Sequence, residues 1–181
     1  LITVWDFNVA PHMSVLLAQI DYDKRKIYIL EEVLGTAAAK ENNTPALARR
    51  MKKKLLSDKQ IGGVDVTGDP AGLQRSTASE DGINNFTVIT ETLGQGVLHP
   101  RVKLLRKQPP QITRCEFVNE VFDGYNGWEL RIDLRCRKLT EDLIYQTKNE
   151  DGTKSKQKVT DPKTGVKYEK YGHLSDCLDY L

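Results

Sequence analysis

Histidine and cysteine are scarce in this chain and poorly spaced for metal chemistry. Cys115, Cys136 and Cys177 are odd in number and far apart, with no CxxC pair and no histidine at zinc-ligand spacing, so neither a disulfide scaffold nor a zinc finger organises the fold. His12, His99 and His173 are scattered in the same way, so any bound metal would have to be held by carboxylates. No apolar run approaches the roughly 18 to 20 residues of a membrane-spanning helix, and no basic, apolar and small-residue succession marks a signal peptide; the chain reads as soluble and intracellular, with no membrane partner. A net charge of +2 is too small to announce a nucleic-acid binder, so such a partner must be argued from local clusters of Lys and Arg. The chain has no internal repeat and opens at Leu1 inside a strand-like segment, which reads as a piece of a longer polypeptide.

What is there is an alternation of apolar runs and turn signals over 181 residues, enough for one hydrophobic core and one domain, 1–181. Ile2 to Asn8 is apolar on both faces until Asp6, as in a central strand covered from both sides. Ser14 to Ile20 and Lys26 to Leu34 flank a polar turn and predict an antiparallel hairpin. Thr44 and Pro45 open a helix on which Leu47, Met51 and Leu55 share one face. Gly62 to Thr67 predicts a strand that ends in the tight sequence Gly68-Asp69-Pro70-Ala71-Gly72. Beyond it the pattern predicts a helix over Ile83 to Leu93, a strand over Val102 to Leu105, a helix over Ile112 to Phe122 and a short strand over Leu130 to Leu134. The Lys-rich stretch from Lys148 to Lys170, with a turn at Asp161-Pro162-Lys163-Thr164-Gly165, predicts a projecting β-hairpin, and His173 to Leu181 a last helix. This order suits an α/β fold, a mixed sheet with helices on both faces.

Asp6 interrupts an otherwise apolar strand, and a buried carboxylate without a partner is costly, so something must neutralise it. Asp69 at the end of a later strand and Asp176 on the last helix would meet it if the two strands are neighbours and the helix crosses their ends. Converging carboxylates suit Mg²⁺ or Mn²⁺, and two such ions roughly 3.5 to 4 Å apart can activate water and stabilise a leaving oxygen in phosphodiester hydrolysis. Taken singly, Asp69 also reads as a turn residue and Asp176 as a helix-start residue. Asp65 and Asp179 are placed to be secondary ligands, though a solvated or hydrogen-bonded carboxylate is the commoner fate; His173 reads as orienting a ligand or, more commonly, as packing. Arg49 to Lys59 holds six basic residues against one acid, and Lys148 to Lys170 seven lysines against four acids. Such runs are commonly solvated faces, but Lys154, Lys156 and Lys158 alternate, so on a strand they would share one side and track a phosphate backbone. Trp5, Trp128, Tyr168 and Tyr171 read as core or edge packing rather than base-stacking platforms.

Three segments together carry a family resemblance. Asp6-Phe7-Asn8, then Val66-Thr67-Gly68-Asp69-Pro70-Ala71-Gly72, then Tyr171-Gly172-His173-Leu174-Ser175-Asp176-Cys177-Leu178-Asp179-Tyr180-Leu181 resemble, in order and approximate spacing, the C-terminal nuclease domain of the large terminase subunit of tailed bacteriophages. The resemblance spans nearly the whole chain. It implies an RNase H-like fold and a metal-dependent endonuclease that cleaves concatemeric viral double-stranded DNA during genome packaging. Asp6, Asp69 and Asp176 match the family's acidic triad, which binds Mg²⁺ or Mn²⁺, two ions being expected. The family implies an ATPase motor domain, a small terminase subunit and a portal as partners, in the cytoplasm of an infected bacterium. This sequence has no GxxxxGK[ST] loop, so nucleotide hydrolysis does not carry over, and an isolated copy is expected to be a monomer.

Two other classes share parts of the pattern. Another RNase H-like DNA enzyme, of resolvase or transposase type, would use the same acids on a different DNA structure. A non-catalytic DNA-binding assembly module would keep the scaffold and bind DNA irrespective of magnesium. An actin-like ATPase, whose strands also end in Asp-Gly loops, would need a second large lobe for which the chain has no room.

Overall fold

The computed structural model describes residues 1–57, 62–74, 82–105, 107–162 and 164–181. Its centre is the run that the apolar pattern marks: β1 (Ile2–Asp6), β2 (His12–Asp21) and β3 (Lys26–Thr36) form an antiparallel meander. Alternation does what a strand period of two requires, sending Val4, Leu16 and Ala18 to one face and Trp5, Val15 and Leu17 to the other, all buried. A bulge between Leu17 and Ala18 shifts the register of β2 against β3.

Helix α1 (Thr44–Ser57) buries Leu47, Met51 and Leu55, as their four-residue spacing predicts. After it, β4 (Gly62–Gly68) runs parallel to β1, and α2 (Asn85–Gly94) begins where the Asn84 side chain accepts the Thr87 N–H at 3.0 Å. Phe86, Ile89 and Leu93 of α2 join α1 against Trp5, Met13, Val15, Val33, Val64 and Val66. Each fully buried leucine in such a layer contributes about 2 kcal/mol of apolar burial.

The next strand, β5, is Leu98–Val102 rather than Val102 to Leu105: it pairs in parallel with β4, from Gly62 opposite Leu98 to Val66 opposite Val102. Pro100 hid it, because proline argues against a strand everywhere except at an edge, and β5 is an edge. Leu105, beyond the strand, is exposed. Then come α3 (Gln111–Phe122) and the second edge strand β6 (Glu129–Ile132), which stops short of the expected Leu134, a residue fully in solvent. The six-stranded sheet has the order β5-β4-β1-β2-β3-β6.

Helix α4 (Arg137–Tyr145) was not foreseen, because no local side chain caps it. Its cap comes from β3: Glu32 accepts the N–H groups of Lys138 and Leu139 at 2.9 and 2.8 Å. The Lys-rich stretch is a hairpin only at its far end, where β7 (Lys158–Thr160) pairs with β8 (Lys167–Glu169) around a turn in which Asp161 accepts the Thr164 and Gly165 N–H groups. Upstream of β7 only an isolated bridge joins Lys148 to Lys154. Lys163 of that turn and Lys59 of the earlier basic run lie outside the described residues. The last helix, α5 (His173–Asp179), lies with α4 on the second face of the sheet, where Leu139, Leu174, Cys177 and Leu178 meet Val4, Leu16, Ala18 and Ile29. Among the described residues no helix is long and apolar enough to cross a membrane.

Candidate functional site

The parallel pairing of β1 with β4 brings Asp6 and Asp69 to one edge of the sheet. Trp5 stands opposite Gly68, and the Asp69 N–H donates to the Trp5 carbonyl at 2.9 Å, so Asp69 leaves the sheet beside the point where β1 presents Asp6. The close approach depends on Gly68, whose φ is +150° and whose missing Cβ would strike the Trp5 backbone, its nitrogen lying 2.8 Å away. Gly68→Ala is expected to lower stability by about 3 kcal/mol, read as a fall in the urea midpoint at unchanged slope.

Helix α5 carries Asp176, the third acid singled out by the sequence. Tyr180, just past its end, accepts a hydrogen bond from Thr67 at the end of β4 at 3.5 Å, and His173 at its start lies against Asp6. The first N–H groups of α5 are held from α4, where the buried Asp142 carboxylate accepts Leu174 N–H at 2.8 Å and Ser175 N–H at 3.3 Å. Asp6 and Asp69 thus stand together at the C-terminal ends of β1 and β4, and α5, which carries Asp176, packs beside them through His173 and Tyr180.

Each carboxylate is engaged. Asp6 is 2 % exposed; Asn8 Nδ2 donates to both of its oxygens at 3.2 Å and His173 Nδ1 lies 3.4 Å away. Asp69 caps a short 3₁₀ turn over Pro70–Leu73 by accepting the Ala71 N–H at 2.9 Å. Asp176 receives Lys154 on one oxygen and Lys156 on the other, both at 2.9 Å. Lys154 Nζ also donates to Asp179 at 2.6 Å and to Ser175 Oγ at 3.1 Å, which uses all three of its N–H donors. Among the described residues, no three Asp, Glu, His or Cys side chains stand close enough together to hold a metal ion in this arrangement.

These neighbours set the protonation states. Burial works against charge on Asp176, but the Lys154 and Lys156 ammoniums outweigh it and hold its carboxyl below the usual range. Asp179 has Lys154 without Lys156, and burial prevails there, raising its pKa. Burial would likewise discharge Lys154 and Lys156, yet the acids they face keep both pKa values raised.

The imidazoles behave oppositely. Burial pulls His173 down, but the hydrogen bond and charge of Asp6 more than compensate, and its pKa ends above the ordinary value. His12 packs edge-on to it, ring centres 5.3 Å apart; burial first, and then the His173 charge, lower it from 6.5 to about 4. Because the folded protein resists protonating His12, the unfolded chain takes up that proton first, and stability falls as pH drops from 6.5 to about 4. The His173 contribution is full below 6.5 and fades as pH rises through its raised value, so it is flat in the His12 window. Urea melts in chelator at pH 4 and 6.5 are expected to differ by at most about 3 kcal/mol from this source, a difference that His12→Gln removes.

Several residues fall differently from their sequence reading. Lys154 is 8 % exposed and Lys156 half-buried on the acids, so they do not share an outward strand face with Lys158; the chain is not a strand there, and only Lys158 is exposed. Asp65, by contrast, pairs with Arg101 on β5 at 2.8 Å and Asp179 with Lys154, the hydrogen-bonded fate expected as the commoner one for both. Sequence reasoning gives no role of their own to Asn8, His12 and Asp142: Asn8 acts on Asp6 two residues away, whereas His12 and Asp142 matter through partners on α5.

No protein-family model matches the sequence, and neither does any curated protein. Among solved structures, the P22 large terminase nuclease domain superimposes with a TM-score of 0.59 at 13% identity, over 86% of this chain and 72% of that one. The g2p (large terminase) nuclease domain from the bacteriophage SPP1, with bound Mn, gives a TM-score of 0.45 at 12% identity, over 98% of this chain and 81% of that one. The six-stranded mixed sheet, its flanking helices and the first of these superpositions give the chain an RNase H-like α/β fold, similar to that of the P22 large terminase nuclease domain.

Proposed function

We propose that the chain is a divalent-metal-dependent endonuclease that cleaves concatemeric viral double-stranded DNA during packaging, with Asp6, Asp69 and Asp176 as its metal ligands. The observation that supports this reading is the parallel pairing that sets Asp6 beside Asp69 at the C-terminal ends of β1 and β4, with α5, which carries Asp176, packed against β1 on an RNase H-like sheet. The chemistry of the donor set suits Mg²⁺ or Mn²⁺: oxygen ligands only, and anionic. Lys154 and Lys156 each hold one Asp176 oxygen, so a metal ion on Asp176 would take the place of an ammonium there. When bound, two such ions would supply Lewis acidity at the phosphate and a site for the attacking water.

The chain's own residues do the rest. Asn8 and His173 fix the Asp6 carboxylate, the Ala71 N–H fixes Asp69, and Asp142 anchors the start of the helix that carries Asp176. Lys158, exposed on β7, is a lysine of the hairpin open to a DNA phosphate. In the whole protein we place this activity beside an ATPase motor domain, a small terminase subunit and a portal, in the cytoplasm of an infected bacterium.

The test is plasmid cleavage with magnesium, manganese or EDTA, comparing the chain with Asp69→Ala. Cutting that needs metal and disappears in the variant is expected. Absence of cutting by both proteins in every metal, with DNA binding indifferent to magnesium, would overturn the proposal in favour of a binding module.

A further inference from the structure

On the face of the sheet that carries α5, helix α3 does not close onto the strands. A groove of about 820 Å³ opens between them, walled by Ile27, Leu130, Leu104, Phe117, Val118 and Leu181. Protein interiors are packed without such gaps, and an apolar space of this size is in the range that takes a small ligand. The aromatic rings along it are held in place: Phe117 meets Tyr125 edge-on at 5.9 Å, and Trp128 meets Tyr22 at 6.0 Å.

One group in the groove is out of keeping with its apolar walls. The Arg114 guanidinium lies over the Tyr180 ring, 4.5 Å from its centre, and its Nε and Nη1 atoms are buried with no hydrogen-bond partner among the described residues. A buried charged donor left without an acceptor is costly, and a guanidinium is best satisfied by an anionic oxygen. The one carboxylate lining the groove, Asp179, is already engaged by Lys154 at 2.6 Å, while Lys103 adds a second positive charge to the lining. Apolar walls therefore converge on a guanidinium that shares Asp179 with Lys154 and reaches Tyr180, while two of its donors keep no acceptor among the described residues.

We propose that this groove binds an amphiphilic carboxylate, its apolar body between α3 and the sheet and its carboxylate on Arg114. The groove is lined by Leu178, Tyr180 and Leu181, at the end of the helix that carries Asp176, and by Thr67, two residues before Asp69. An occupant therefore touches the elements that present two of the three acids. That consequence rests on the nuclease reading, whereas binding itself does not.

Trp128 lines the groove while Trp5 is buried in the opposite core layer, so intrinsic fluorescence reports occupancy. Dodecanoate, titrated below its micellar concentration, is expected to shift the Trp128 emission saturably and to bind about tenfold or more tightly than dodecyltrimethylammonium. Arg114→Met is expected to lose that preference, and Arg114→Lys, which keeps the charge, to retain part of it. A dodecanoate signal absent in the unmodified chain, equal affinity for the two head groups, or an undiminished preference in a folded Arg114→Met would overturn the proposal. Because the readout is binding without metal or DNA, its failure leaves the nuclease reading standing, and failure of plasmid cleavage leaves this one standing.

Discussion

Asp6→Asn is expected to reduce metal-dependent plasmid cleavage by about a thousandfold or more while the protein stays folded. The substitution keeps the shape of the side chain and removes its charge, and a loss of that size corresponds to about 4 kcal/mol of transition-state stabilisation, within what metal ions supply at a phosphoryl oxygen. Asp6 is the strongest single test of the site because it is 2 % exposed at the end of a central strand, where a solvated role is excluded. The His173 ring beside it separates function from structure: with the carboxylate neutralised, the raised imidazole pKa should fall, visible as a shift in its proton NMR titration. Lost cleavage together with that shift and an intact melt is the expected result. Cleavage within a few fold of the unmodified chain would remove Asp6 from the metal site.

The largest effect on stability is expected at Lys154. Its ammonium bonds Asp176, Asp179 and Ser175 inside the protein, and removing one partner of a buried charge cluster leaves the others uncompensated, a loss of about 3 to 5 kcal/mol. Lys154→Met is the suitable variant, since it keeps an unbranched chain of similar volume. Lys156 still neutralises Asp176, so the exposed weakness is Asp179, whose pKa burial already raises. The sign with pH follows. A carboxylate whose folded pKa is raised destabilises the fold when ionised and ceases to do so once protonated, so the deficit of Lys154→Met should shrink as pH falls through the Asp179 value. Urea unfolding of both proteins at pH 7 and at pH 4.5 checks this; a deficit that grows towards acid pH would mean that Lys154 does not serve Asp179.

How much of this was legible beforehand divides along physical lines. Asp6 stood out because an acid in a strand apolar on both faces needs a partner, and the spacing of Leu47, Met51 and Leu55 fixes a helical face by geometry alone. Gly68 beside Asp69 announced a turn that the pairing of β4 with β1 then explains. Other features were hidden because their causes lie far along the chain. Helix α4 has no local cap, since Glu32 provides it across 106 residues. Strand β5 is masked by Pro100, harmless only because of its edge position, which no local pattern reveals. The lysine alternation predicts an outward strand face, yet the draw of Asp176 and Asp179 on α5 turns Lys154 inward. Periodicity reports which side of an element is apolar, and it is silent on which charges meet.

The borrowed caps also set an order of events. Helix α5 has seven residues, too few to persist alone in water, and its leading N–H groups are answered by Asp142 on α4, whose own leading N–H groups are answered by Glu32 on β3. Each helix start thus depends on the element before it in this relay, and Asp176 is expected to take its place after sheet and α4 have formed. The same dependence runs backwards as the molecule breathes: α5 can let go while the sheet persists, and its amides should exchange with solvent ahead of those of β1 and β2. On the nuclease reading proposed above, release of α5 would carry Asp176 away from Asp6 and Asp69, so cutting would require the completed scaffold and nascent or damaged copies would stay idle without any separate inhibitor.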